Sequence, residues 1–250
     1  MSKRTSEAAR ARIAAQREAL RKQEQRKRMT TIIAVVVIAV VAVAIGWWSM
    51  RQGESEKVTG GLAPVTIQED GSVVMAKPGV TAPVVDVYED YQCPACKQLE
   101  ETSGSTLKNL AAEGKAKVVY HMITIFSDEP AHSNSLRAAN AARCVTDGSQ
   151  YMKFHDLLYQ RQPSETETGF SPDDLVKWGK EAGVTAPDFE TCVRQQRNVS
   201  AHEQYTSTIM SSLKLSGTPT VMLNGQSLDT GTAFVPSALR DAVVKASSKG

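Results

Sequence analysis

Pro83-Val-Val-Asp-Val-Tyr88, then Glu89-Asp90-Tyr91-Gln92, then Cys93-Pro94-Ala95-Cys96: this stretch decides how the chain is read. Its first six residues are rich in β-branched and aromatic side chains, the composition of a buried strand. Pro94 stands where a helix opens, because its missing N–H falls among first-turn donors that have no intrahelical partner. The two cysteines therefore lie on one helical turn at the end of a strand, with their sulfurs in bonding reach. The unpaired N–H groups and partial positive charge of a helix N-terminus favour a thiolate on Cys93. Such a setting takes a thiol from about 8.5 into the range of roughly 3.5–7.5. A stabilised thiolate favours the reduced form, which makes the disulfide an oxidant. C-x-x-C at a strand-to-helix junction is thus a redox motif in this reading. Zinc, with Cys144 and Cys192 as further ligands, and an inert structural bond are the alternatives. Cys144 and Cys192 stand singly, without the paired spacing of a zinc knuckle.

Downstream, the helix opened by Pro94 is expected to reach about Glu113 and stop at Gly114, with Gly104 weakening its middle. Lys117–Ile125 reads as a second strong strand. Residues 133–214 read as mostly helical, over Ser133–Val145, Tyr151–Gln160, Pro172–Ala182 and Asp188–Leu213. Ser171 is an N-cap, followed by Pro172 and the acids Asp173 and Asp174 that suit a helix macrodipole. Thr220–Leu223 is a strand, Asn224-Gly225 a hairpin turn, Ser227–Leu228 a short return strand and Pro236–Ala246 a closing helix. Upstream, Ser72–Ala76 reads as a short edge strand ended by Pro78-Gly79. The order β-β-α-β, helical insert, β-β-α places the chain in the α/β class.

The first 29 residues carry ten Lys/Arg against three Glu, although the whole chain is only +2. Met29–Trp48 is an uncharged run of 20 residues, and Ile32–Ala44 is Val, Ile and Ala alone. At a rise of about 1.5 Å per residue, such a run spans the roughly 30 Å hydrocarbon core. Trp47 and Trp48 sit at its far end, as interfacial rings do, and the basic block before it sets the N-terminus inside. The expected organisation is a cytoplasmic basic segment 1–28, a transmembrane helix 29–48, a linker 49–66 and a folded domain 67–250. The basic block is then a topology signal rather than a nucleic-acid arm. A cleaved signal peptide ending at Ala42-Val43-Ala44 is the rival reading, but that pattern lies inside the apolar run instead of after it. In either case the domain faces an oxidising compartment, where disulfides persist.

The run Val85–Cys96 resembles the active-site segment of DsbA-like thioredoxin-fold proteins. Gly217-Thr-Pro-Thr-Val-Met-Leu-Asn-Gly225 resembles the same family's second signature, and the insert of about 80 residues between them has its counterpart there. The resemblance covers residues 67–248 and is strongest to the membrane-tethered members from high-GC Gram-positive bacteria. It implies a thioredoxin fold with a helical insertion and a cis bond before Pro219. It also implies that Thr218 pairs its backbone with an extended substrate and sets its hydroxyl near the Cys93 sulfur. Cys144 and Cys192 would form a structural disulfide; two buried thiols or a second redox relay are the other readings. Many relatives carry a buried acid six residues before the first cysteine, where this chain has Val87. Glu89 shares the Val87 face by strand alternation and is the candidate for proton transfer. The plainer reading of Asp86, Glu89 and Asp90 is surface acids at a strand end.

What the resemblance implies is an extracytoplasmic thiol–disulfide oxidoreductase that introduces disulfides into unfolded secreted or membrane proteins. It would need no cofactor or metal and would be reoxidised by a membrane partner of the DsbB or vitamin K epoxide reductase-like type. A reductase or isomerase on the same fold is the alternative, and a non-catalytic metal-binding or interaction module a third. A monomer is expected, because the linker leaves no room for a dimerisation domain. His121, His132, His155 and His202 show no metal-site spacing, and Asn198-Val-Ser200 is a glycosylation sequon by pattern only.

Overall fold

The computed structural model describes residues 56–248. The expected cytoplasmic segment, the transmembrane helix and the start of the linker lie outside the described residues. Among the described residues no helix is long and apolar enough to cross a membrane.

Six strands form one mixed sheet in the order β1-β2-β4-β3-β5-β6. They are β1 (Val65–Ile67), β2 (Val73–Met75), β3 (Val84–Glu89), β4 (Lys117–Met122), β5 (Thr220–Leu223) and β6 (Gln226–Ser227). β3 and β4 pair in parallel, with Val87 opposite Tyr120. Every other pair is antiparallel. A parallel pair needs a crossover. Here it is α1 (Pro94–Leu99), a π-helical turn (Glu100–Gly104) and α2 (Ser105–Ala112). The expected single helix is thus interrupted by a wide turn that ends at Gly104. Val85, Val87, Leu99, Leu107 and Leu110 are fully buried between strand and crossover. Burying a side chain of this size stabilises by about 1.5–3 kcal/mol.

Between β4 and β5 lies the insert: α3 (Ala131–Arg143), α4 (Gly148–Gln160), α5 (Pro172–Glu181), α6 (Phe189–Arg194) and α7 (Val199–Leu213). Ser171 caps α5, its hydroxyl accepting from the Asp174 N–H. Cys144, at the end of α3, is bonded to Cys192 in α6, which is at odds with the reading as two buried thiols. The sheet then resumes through β5 and β6, joined by Asn224 at φ 51° and Gly225 at φ 76°, the left-handed pair a type I′ hairpin turn needs. The short helix α8 (Thr230–Ala233) and α9 (Pro236–Ser247) close the described chain.

Three expectations are corrected. Ser72–Ala76 is not an edge: β2 lies between β1 and β4, and Val73 and Met75 are fully buried. The edge is β1, which crosses the expected boundary between linker and domain at 66–67 and is too short to show alternation. Residues before it are also tied down. Arg240 on α9 holds Glu56 through two hydrogen bonds of 2.7 and 2.9 Å, and Asn109 binds the backbone of Lys57 and Thr59. The domain therefore begins by residue 56, not 67. Asp188–Leu213 is two helices, broken at 195–198 with Gln196 at φ 50°. The break turns Asn198 inward, where its amide donates to both disulfide sulfurs at 3.4 and 3.3 Å. The sequon asparagine is thereby engaged within the fold.

Candidate active site

Cys93 is the N-cap of α1 and Pro94 its first helical residue. The Cys93 carbonyl accepts from the N–H groups of Cys96 and Lys97, which winds the motif into a first turn. Both thiols are free, and they differ in access: Cys93 is 6% exposed and Cys96 0%. Across from them the Thr218–Pro219 bond is cis. The protonated Cys93 thiol donates to the Thr218 carbonyl at 3.4 Å. The buried Thr218 hydroxyl has no hydrogen-bond partner among the described residues and is placed to donate to the thiolate instead.

These contacts split the two acidities. Hydrogen bonding from Cys96 comes first, then the Thr218 side chain and the Cys96 and Ala95 N–H groups, and together they bring Cys93 down to about 6 against the cost of burial. Burial, the bond to Cys93 and the nearby Glu89 charge push Cys96 well up. At neutral pH the reduced pair is one thiolate, on the accessible sulfur, and one thiol, on the sealed one.

The loop before α1 is braced from the insert. Asp90 accepts from the Gln92 N–H at 2.9 Å, the Ser135 hydroxyl at 2.6 Å and the Ile125 N–H at 2.9 Å. Gln162, just past α4, donates to the carbonyls of Tyr91 and Cys93 at 2.8 and 3.0 Å. The reading of Glu89 and Asp90 as surface acids is overturned, since both are 0% exposed. Burial pushes Asp90 up to about 6 despite its three hydrogen bonds. It raises Glu89 well above the usual carboxylate range, reinforced by the charge of Glu100. Val87, at the family's acid position, is a fully buried apolar residue.

Glu100 and Lys108, which the sequence did not single out, and His155, set aside there for want of metal-site spacing, join Glu89. Glu100 comes from the π-helical turn, Lys108 from α2 and His155 from α4. One ligand atom each of Glu89, Glu100 and His155 lie within 4.8 Å of one another, so among the described residues these three form a group that could hold a cation. The Lys108 ammonium, 3.9 Å from Glu100, already sets a positive charge there. Burial brings His155 down to about 4, so its imidazole is neutral at pH 7. Its one visible signal was an inward position within the helical pattern of Tyr151–Gln160.

Comparison with known proteins agrees with this geometry. A family model described as Thioredoxin matches residues 79–237. A protein of Rickettsia felis named as a protein-disulfide oxidoreductase is 23% identical over 186 residues, covering 72% of this chain. This chain spans 65% of that relative's length. The oxidised DsbA of Mycobacterium tuberculosis superposes with a TM-score of 0.59 at 28% identity, over 74% of this chain and 92% of that one. The reduced DsbG disulfide oxidoreductase of the same organism gives 0.59 at 29% identity, over 68% and 82%. The family match takes in the strand, the C-P-A-C turn, the insert and the Thr218–Pro219 segment together, and the chain belongs to the thioredoxin family, with the fold of its DsbA-like thiol–disulfide oxidoreductases.

Proposed function

We propose that the chain is a membrane-anchored, extracytoplasmic oxidase that donates the Cys93–Cys96 disulfide to unfolded secreted or membrane proteins. The observation that carries this reading is the split between an accessible Cys93 near 6 and a sealed Cys96 held well above its usual value. A substrate thiolate attacks the Cys93 sulfur, the Cys93–Cys96 bond breaks, and its electron pair goes to Cys96. Cys96 takes a proton from the Glu89 carboxyl, which burial keeps protonated. A second substrate thiolate attacks the substrate's own sulfur and expels Cys93 as a stable thiolate. Products are an oxidised substrate and a reduced enzyme, as disulfide exchange requires.

Thr218 and Pro219 form the substrate-binding edge in this proposal, with the Thr218 backbone available to an extended chain and Pro94 and Ala95 forming the rim beside Cys93. Location rests on the basic segment and the apolar run 29–48. Reoxidation falls to a membrane partner of the DsbB or vitamin K epoxide reductase-like type. The unit acts as a monomer and uses no organic cofactor. Mixing the oxidised full chain with an unfolded protein carrying two thiols is expected to give one substrate disulfide per chain reduced. A chain that stays oxidised in that mixture, yet reduces insulin with an external dithiol, would reverse the proposed direction.

A further inference from the structure

Pro94 leaves the active-site turn short of donors. It has no N–H, so the backbone groups that reach the Cys93 sulfur are those of Ala95 and Cys96. The Cys96 N–H is also claimed by the Cys93 carbonyl, at 3.1 Å, beside the Lys97 N–H at 3.2 Å. One N–H thus stands between two acceptors on the same residue. If it turned fully to a charged sulfur, the carbonyl would lose one of the two donors its own helix supplies. A third donor comes from the insert. Gln162 Nε2 lies 3.0 Å from the Cys93 carbonyl oxygen. That oxygen has two lone pairs, so three donors converge on two acceptor sites and the Cys96 N–H can be spared.

The Gln162 amide is fixed from several sides. α4 ends at Gln160, and Arg161 is tied down by Glu181 at 2.6 Å and by the Trp178 ring. The second Nε2 hydrogen goes to the Tyr91 carbonyl at 2.8 Å. Both donors of the amide are then used, and a flipped amide would set its oxygen against two carbonyl oxygens. Gln92, fully buried, returns the contact by donating to the Pro163 carbonyl at 3.0 Å. We propose that Gln162 is a positioning residue for the exchange: it takes the place of the Cys96 N–H at the Cys93 carbonyl and so frees that N–H for the sulfur whenever Cys93 is a thiolate. The proposal rests on the reading of Cys93 as the exchanging thiolate and holds for either direction of electron flow. In the disulfide the sulfur carries no charge, and the N–H stays with the carbonyl. Gln162 therefore stabilises the reduced state selectively. It also acts on the mixed disulfide, because Cys93 leaves it as a thiolate and a better stabilised thiolate leaves faster. The helical insert contributes in this way to the chemistry as well as to the frame.

Two measurements on the full chain in detergent test this for the wild type, Gln162→Leu and Gln162→Met: alkylation of the reduced form by iodoacetamide across pH, and glutathione equilibration at pH 5 and pH 8. Wild-type alkylation should inflect near 6. Both variants lack the donor, and their inflection should lie about one pH unit higher. That is a tenfold change in ionisation constant, about the size of one hydrogen bond to a charged group. Their potential should match the wild type at pH 5, where the thiol is protonated in every chain. At pH 8 it should be about 30 mV more reducing, the same tenfold in a two-electron couple. A potential that changes equally at both pH values, or not at all, would mean that Gln162 only frames the loop. That result would overturn the proposal and leave Cys93 in place as the thiolate. A wild-type inflection near the ordinary 9 would overturn both. Met keeps the length of the glutamine, so its variant decides the matter if Leu disturbs the turn.

Discussion

A Cys96→Ser variant of the reduced chain will accumulate a mixed disulfide between Cys93 and any small disulfide substrate, resolving it at least ~10³-fold more slowly than the wild type. The size follows from what Cys96 supplies. It is held on the same helical turn as Cys93, and well-oriented intramolecular groups reach effective molarities of roughly 10⁵–10⁸ M. An external thiol at millimolar concentration cannot match this. Formation of the adduct is a separate matter, set by the Cys93 thiolate. Because Cys93 ionises near 6, the rate of adduct formation should rise as pH passes through about 6 and flatten above it. Replacement of Cys96 also removes the first of the contacts that stabilise that thiolate, so the variant's own inflection should lie higher. Non-reducing mass spectrometry over time reads both the adduct and its decay. Rapid release from the Cys96→Ser chain would mean that some other group resolves the intermediate.

Loss of the second disulfide should be the largest single effect on stability. Cys144 and Cys192 close a loop with a sequence separation of 48, for which the chain-entropy relation gives ~4 kcal/mol at 25 °C. Both sulfurs are buried and receive the Asn198 amide, so two serines would also disturb the break between α6 and α7. A Cys144→Ser/Cys192→Ser chain, compared in a Cys93→Ser/Cys96→Ser background, should show a urea midpoint lowered by the equivalent of ~4 kcal/mol. A shift below about 1 kcal/mol would mean that the reduced, unfolded chain is already constrained there. The insert also carries Ser135, His155 and Gln162 to the active-site loop, so the same change should loosen the bracing of Cys93.

The parts of the site legible in the sequence are those carried by contiguous residues. Cys93, Pro94 and Cys96 declare a strand end and a helix start together, and Gly217 to Gly225 declares a turn, a strand and a hairpin. Signals of this kind survive because the backbone rules behind them are local. Glu89 was harder. Alternation placed it on the Val87 face, but whether a strand's last residue is buried depends on what covers it, and here α4 of the insert does. Glu100, Lys108 and His155 lie on three different elements and converge only through the crossover and the insert, so no spacing could link them. The break in Asp188–Leu213 has the same origin: helical propensity continues across 195–198, and the inward turn of Asn198 onto the disulfide overrides it. β1 was missed because three residues are too few to show a period of two.

The most direct test of the account is the reduction potential of the Cys93–Cys96 couple, measured by equilibration with glutathione at pH 7. The lowered Cys93 pKa stabilises the reduced folded form fully above its ordinary value near 9, and this contribution is lost as pH falls through about 6. Cys96 moves the other way, and its effect enters only above pH 9. At pH 7 the Cys93 shift alone is worth about 1.4 kcal/mol, or roughly 30 mV toward the oxidising side. The account predicts a potential above the roughly −180 to −210 mV of an oxidising secretory compartment. A value near the roughly −270 mV of thioredoxin would contradict it and make the chain a reductase that draws its electrons from elsewhere.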